Sequence, residues 1–365
     1  MKRFFIIGGI SIIALVIIAV LAFNILIRQP DQQVTASPII LSAEAIPLNP
    51  DDPTQNQIGR LIYRGGLLIT SQQPSFGGFS DMRISDDGSK ILAVSDQGFW
   101  WYGGLLHEGG RLVGLTHATL KPLQGLRSDA TVGKTGDAES LVINENGLIY
   151  VGLERDHRIL TYPMPETGGL AAFIANNPTS IAVRRPPADA EIPVNGGLEA
   201  MIALDPDTLL VLTEQATNVD GTLKGWLIEG ESMLPISYQP HDSYSPVSLA
   251  ILPNGDLMAL ERHYTPVDGV SARLCIIDRQ QISPGAILEC ENIAEIIAPM
   301  SVDNFEGLSI RLVAQGGAHE EVLVYLLSDD NFNQLQDTLL MMFELAPKKD
   351  QEERLKPLQQ PLQVH

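Results

Sequence analysis

The segment Asp137–Tyr162 reads DAESLVINENGLIYVGLERDHRILTY. A small and acidic opening leads into an alternating apolar run, Asn144-Glu145-Asn146-Gly147 interrupts it, and the apolar run Ile149–Leu153 follows. Asn-Gly between two apolar runs predicts a tight hairpin, because both residues tolerate positive φ. Two antiparallel strands are therefore expected, ending in the charged cluster Glu154-Arg155-Asp156-His157-Arg158.

The same order recurs in Phe79–Trp101 (FSDMRISDDGSKILAVSDQGFWW), Gly196–Gln215 (GGLEAMIALDPDTLLVLTEQ), Ser245–Tyr264 (SPVSLAILPNGDLMALERHY) and Asp303–Asn331 (DNFEGLSIRLVAQGGAHEEVLVYLLSDDN). Turns are predicted at Asp86-Asp87-Gly88, Asp205-Pro206-Asp207 and Pro253-Asn254-Gly255-Asp256. Units begin roughly 50 to 60 residues apart, which leaves room for two more strands in each, the spacing of an all-β propeller. Five blades follow directly. Arg60–Ser71, paired with the last strand Thr338–Leu345, is expected to form a sixth and to close the ring, removing exposed sheet edges. A two-sheet sandwich is the alternative. The propeller is expected over residues 58–346, with 31–57 as a polar, proline-containing linker and 347–365 as a polar tail.

Residues 1–30 differ in kind. Lys2 and Arg3 precede Phe4–Ile27, an uncharged run of 24 residues closed by Arg28. At about 1.5 Å per residue, roughly 20 apolar residues span a bilayer core, so a membrane anchor is expected; Val20-Leu21-Ala22 also suits cleavage of a secretory signal. Both readings place the bulk of the chain outside the cytoplasm, since positive charges before the helix stay inside. The charge of −20 excludes nucleic acid as a ready partner, the nearest basic grouping being Arg184-Arg185. Cys275 and Cys290 flank an expected turn, and either a disulfide or two buried thiols is compatible with that spacing.

Acids recur at the ends of the paired strands: Asp81 with Asp96, Glu139 with Glu154, and Glu199 with Glu214. The fourth unit has Ser248 and Glu261, and the fifth has Glu306 and Asp329. Hairpin ends meet, and inner strands of a propeller face its axis, so these carboxylates are expected at one rim. Crowded like charges raise one another's pKa and need a cation, a shared proton or basic partners. An all-oxygen set suits Ca²⁺. Arg83, Arg155 and Arg262 are the basic neighbours in sequence. The other reading makes many of these acids blade-corner acceptors of backbone N–H groups. Phe99-Trp100-Trp101-Tyr102 is either a ligand wall or packing between blades.

Taken together, FSDMRISDDGSKILAVSDQG (79–98), DAESLVINENGLIYVGLERDHR (137–158), GLEAMIALDPDTLLVLTE (197–214), DNFEGL (303–308) and LSDDNFNQLQDTLLMMFEL (327–345) resemble the phytase-like, or esterase-like phytase, domain family. The resemblance implies a β-propeller with phosphoesterase activity and marks Asp81, Asp96, Glu139, Glu154, Glu199, Glu214, Glu261, Glu306 and Asp329 as the acidic set. Ser248 departs from the pattern.

Metal-assisted hydrolysis of a small phosphorylated or ester substrate is the enzymatic expectation. Glu154 and Glu214 are its candidate catalytic acids, and Arg155, His157, Arg262 and His263, with Arg158, its candidate phosphate contacts. A lactonase-like use of the same metal is a second reading, and a non-catalytic envelope binding or scaffold protein a third. No G-x-S-x-G elbow, H-E-x-x-H helix or P-loop is present.

Overall fold

The computed structural model describes residues 37–125, 136–265, 267, 269–315 and 319–348. The anchor or signal expected over 1–30 and most of the tail lie outside the described residues. Among the described residues no helix is long and apolar enough to cross a membrane.

Four strands precede the first full repeat: β1 (Ser37–Ile39), β2 (Leu41–Ala45), β3 (Gln57–Ile58) and β4 (Leu61–Ser71). Blade one is β5 (Phe79–Ile84), β6 (Lys90–Ser95), β7 (Phe99–Glu108) and β8 (Arg111–Pro122), with β1 along its outer edge. Blade two is β9 (Ala138–Ile143), β10 (Leu148–Leu153), β11 (Arg158–Pro163) and β12 (Ala182–Arg184), and the short helix α1 (Gly169–Ala175) interrupts it. Blade three is β13 (Leu198–Ala203), β14 (Thr208–Thr217), β15 (Leu223–Glu229) and β16 (Ser232–Tyr238). Blade four is β17 (Ser245–Ile251), β18 (Leu257–Thr265), β19 (Gly269–Ile277) and β21 (Glu291–Ile296). On its way to β21 the chain adds β20 (Ile287–Leu288) in parallel to β16 of blade three. The disulfide Cys275–Cys290 ties this crossing to β19, closing a loop with a separation of 15 residues.

Blade five corrects the expected count of six. β22 (Phe305–Gln315) and β23 (His319–Ser328) are followed by β24 (Thr338–Leu345), which pairs with β4, and β4 pairs with β2. Among the described residues the hairpin β22–β23 has only β24 after it, and the N-terminal β4 supplies the fourth strand of this blade rather than half of another. The innermost strands β5, β9, β13, β17 and β22 contact one another in that order, and β22 returns to β5, so the ring closes at five. Strands β1 and β2 lie within the stretch 31–57 that reads as a linker and β3 begins at its end, so its described part belongs to the propeller.

The predicted hairpin turns form. Gly147 adopts φ 73°, a conformation a Cβ would strain, and the Leu148 amide bonds the Asn144 side chain at 2.8 Å. Apolar faces of neighbouring blades pack together, for example Leu92, Trp100, Val151, Tyr162 and Phe173 between blades one and two. Trp100 meets Tyr162 and Phe173 edge-on, and Trp101 packs on Phe76 and Phe79. Both indoles are fully buried, so the aromatic run is inter-blade core and not a ligand wall.

Candidate functional site

The inner hairpin of every blade slips register by one residue at the same place. Phe79 pairs with Ser95 but Asp81 with Val94, which leaves Ser80 extra. Glu139, Glu199, Val247 and Glu306 are the extra residues of blades two to five. Such a β-bulge reverses the alternation of side chains and re-aims the extra one, a device found beside active sites. The five bulges therefore define a ring of equivalent positions around the axis: Ser80, Glu139, Glu199, Val247 and Glu306.

A second ring lies one residue past the partner of the residue that precedes each bulge: Asp96, Glu154, Glu214, Arg262 and Asp329. Its backbone geometry repeats. The amides of Asp96, Glu154, Glu214 and Asp329 bond the carbonyls of Gly78, Asp137, Gly197 and Asn304 at 2.8, 2.7, 3.2 and 2.9 Å. In blade four a guanidinium stands where the others place a carboxylate.

Two of the expected rim acids lie elsewhere. Asp81 follows the bulge, level with Ser140, Ala200, Ser248 and Gly307, and is fully buried. Its carboxylate accepts hydrogen bonds from the amides of Met82 and Leu141, both at 2.8 Å, from Ser248 Oγ at 2.9 Å and from Arg83 Nη1 at 3.1 Å. With small neighbours at the level positions, it joins blades one, two and four below the rim. Glu261, also fully buried, pairs with Arg273 Nε at 2.7 Å and accepts from Tyr238 Oη at 2.7 Å. Equal spacing in the letters concealed the first shift, because the first hairpin has a longer turn than the second; in the fourth the acid stands one place before the rim.

The acids that meet most closely belong to blade two. Carboxylate oxygens of Asp137, Glu139 and Glu154 lie within 4.8 Å of one another. Asp137 is a site residue that the strand-end pattern overlooked; it opens the second repeat two residues before Glu139, and Arg155 Nε lies 2.6 Å from it. Glu154 is aimed by the amides of Gly196 and Gly197, the latter at 3.1 Å. Just after it, Arg155 takes φ 59°, with the Asp156 amide on the Glu154 carbonyl at 2.6 Å, a strained turn at the rim. Gly78, at φ 62°, leaves room for Asp96, since a Cβ there would stand 2.2 Å from Asp96 Oδ1. That oxygen is buried without a hydrogen-bond partner.

Arg262 completes the circle. Its Nη2 lies 2.7 Å from Glu214 Oε1, and its Nη1 lies 2.8 Å from Asn304 Oδ1 and 3.2 Å from Glu306 Oε1. His157 and His263 stand outside: their ring nitrogens face the carbonyls of Pro193 (2.8 Å) and Ser243 (3.2 Å). Arg158 bonds Asp156.

Burial, then the neighbouring carboxylates, pushes Asp96, Glu139 and Glu199 well above the usual carboxylate range. Burial lifts Glu306 to about 8 against the pull of Arg262. Asp329 rises to about 7 and Asp137 to about 6, again chiefly through burial. Burial disfavours the charge on Arg262, yet Glu306, Glu214 and Glu199 more than offset it and hold its proton more tightly than usual. Charge of this density, oxygen-only donors and the orphaned Asp96 Oδ1 fit a hard cation.

No curated protein matches the sequence significantly. Among solved structures, the chain is similar to an α-L-arabinofuranosidase from Podospora anserina in complex with cellotriose: 12% identity, TM-score 0.42, covering 75% of this chain and 94% of that one. It is also similar to the WD40 repeats of RRP9, at 9% identity and TM-score 0.38, covering 74% and 95%. Neither likeness bears on activity or ligand. The profile of the phytase-like family, described as esterase-like activity of phytase, matches residues 74–332 across all five blades, and the chain belongs to that family.

Proposed function

We propose that the chain is a Ca²⁺-dependent hydrolase of phosphoric or carboxylic esters, anchored by its N-terminal segment with the propeller outside the cytoplasm. The convergence of Asp137, Glu139 and Glu154 oxygens within 4.8 Å carries this reading. These residues would hold the ion, with Asp96 and Glu199 beside them. Ca²⁺ held there would neutralise the rim and would supply Lewis-acid polarisation of a phosphoryl or carbonyl oxygen.

The chain's own groups supply the rest. The Gly196 and Gly197 amides fix Glu154. Glu199 is 6% exposed and accepts no side-chain hydrogen bond among the described residues, so it is the carboxyl placed to hydrogen-bond water at the rim. Arg155, whose side chain is 45% exposed, is the guanidinium at the rim within reach of an anionic substrate. The Cys275–Cys290 disulfide supports an oxidising compartment.

The test is turnover by purified protein of a phosphomonoester, a phosphodiester and a carboxylic ester, with Ca²⁺ and with chelator. Ca²⁺-dependent turnover of one class, lost in Glu139→Gln and Glu154→Gln, is expected. Inactivity on all three would favour the non-catalytic envelope scaffold, a reading that the engagement of both His157 and His263 by backbone carbonyls also supports. A topology reporter fused after residue 365 should register outside the cytoplasm; a cytoplasmic signal would defeat the anchored arrangement.

A further inference from the structure

We infer that Arg262 is a tethered cation filling a second cation position of the axial ring, so that the protein takes one divalent ion where five acidic blades would take two. The inference rests on the metal-binding reading above and adds the ion count and the residue that sets it.

The ring position is acidic in four blades and a guanidinium in one. Blade four is also the blade whose bulge carries an apolar residue, Val247, buried at 1% exposure. The same blade thus gives up both of its axial carboxylates and puts a positive charge there instead. That charge is coordinated as an ion would be. Three oxygens from the two flanking blades converge on it: Glu214 Oε1 from blade three, and Asn304 Oδ1 and Glu306 Oε1 from blade five, at 2.7, 2.8 and 3.2 Å. Two of the three are carboxylates, the donor type a divalent cation selects.

On the opposite side, Asp137, Glu139 and Glu154 gather with one guanidinium, that of Arg155, on Asp137. Between the halves stands Glu199, nine-tenths buried, accepting no side-chain hydrogen bond among the described residues and facing Glu214 and Glu154. Beyond it Asp96 Oδ1, buried without a hydrogen-bond partner, marks where neutralisation by the chain stops and an external cation is required. A covalently tethered guanidinium cannot leave, so its half of the ring is closed to ions and the exchangeable site is confined to the blade-two side.

The test counts ions. Full-length protein in detergent is dialysed to equilibrium against radioactive Ca²⁺, alongside Arg262→Met, which keeps the length of the side chain and removes its charge, and Arg262→Lys. Wild type and R262K should bind about one ion, and R262M about two. R262M binding the same number as wild type overturns the inference. If wild type binds none and R262M gains one, Arg262 still stands as the tethered cation, while the one-ion count and the Ca²⁺ dependence of the proposed activity are overturned. If both bind none, both fail. Should R262M unfold without ions, its circular dichroism is followed as Ca²⁺ is added. Recovery of the β signal supports the inference, because an external cation then replaces the lost guanidinium. No recovery at any Ca²⁺ concentration overturns it.

Discussion

Glu261 and Arg262 are consecutive in β18 and face opposite ways: Glu261 lies 2.7 Å from Arg273 Nε inside the sheet packing, while Arg262 Nη2 lies 2.7 Å from Glu214 on the axis. Successive residues of a strand point to opposite faces. Glu261→Gln should therefore leave Ca²⁺ affinity unchanged and destabilise the fold by about 3 kcal/mol or more, the usual loss when one member of a buried ion pair is removed. Denaturant unfolding and calorimetric ion titration of the same sample separate the two effects. A weakened ion site with normal stability would return Glu261 to the rim.

Glu139→Gln should do the reverse. Its carboxyl sits among Glu199, Asp137, Glu306 and Glu154 with burial already against its charge. Neutralising it should raise the melting temperature of the ion-free protein by a few degrees and weaken Ca²⁺ binding about tenfold or more. Thermal scans with chelator and with excess Ca²⁺ should show opposite shifts. Equal shifts in both would contradict its role as a ligand.

Asp81→Asn places an amide nitrogen where only donors surround the side chain, opposite either the Leu141 amide or the cluster of Met82 N, Ser248 Oγ and Arg83. A loss of about 2 kcal/mol is expected, with the ion count unaltered. Chemical denaturation reads the first and equilibrium dialysis the second; a stable variant with fewer bound ions would move Asp81 into the metal site.

Stability should fall as the pH rises. In the unfolded chain these carboxyls titrate near 3.8 and 4.5, whereas in the folded protein burial carries Asp137 to about 6, Asp329 to about 7 and Glu306 to about 8. Over that interval the folded state holds protons that the unfolded state has released, so stability is highest near the acid end and is lost as pH climbs through the raised values. With chelator, the melting temperature should drop by about 5 °C or more from pH 5 to pH 8; at saturating Ca²⁺ much of that drop should vanish. A flat profile with chelator would mean that the acids are compensated without an ion.

Cys275→Ser with Cys290→Ser opens a loop of separation 15 and should cost about 3 kcal/mol. The crossing that sends β20 to blade three depends on this tie. Ion binding should survive in the double variant, as measured by the same dialysis, because neither sulfur reaches the acid ring; loss of binding at full folding would link the crossing to the site.

Local sequence determined the repeating hairpins, their turns and the clustering of acids at strand ends, since Asn-Gly and Asp-Gly turns and alternating apolar runs are decided by neighbours in the chain. The phytase-like family was legible from the same runs. The number of blades was not: β4 and β24 are as long as strands of a separate blade, and only pairing across the whole chain assigns them to the fifth. Nor was the composition of the axial ring. A bulge adds one residue to the first strand of each hairpin and reverses which of two neighbours faces the axis, so Ser80 replaces Asp81; on the unbulged β18 it is the pairing with β17 that brings Arg262, and not Glu261, level with the acids of the other blades. Those choices depend on pairing between strands and on packing between blades, interactions that no window of adjacent residues contains.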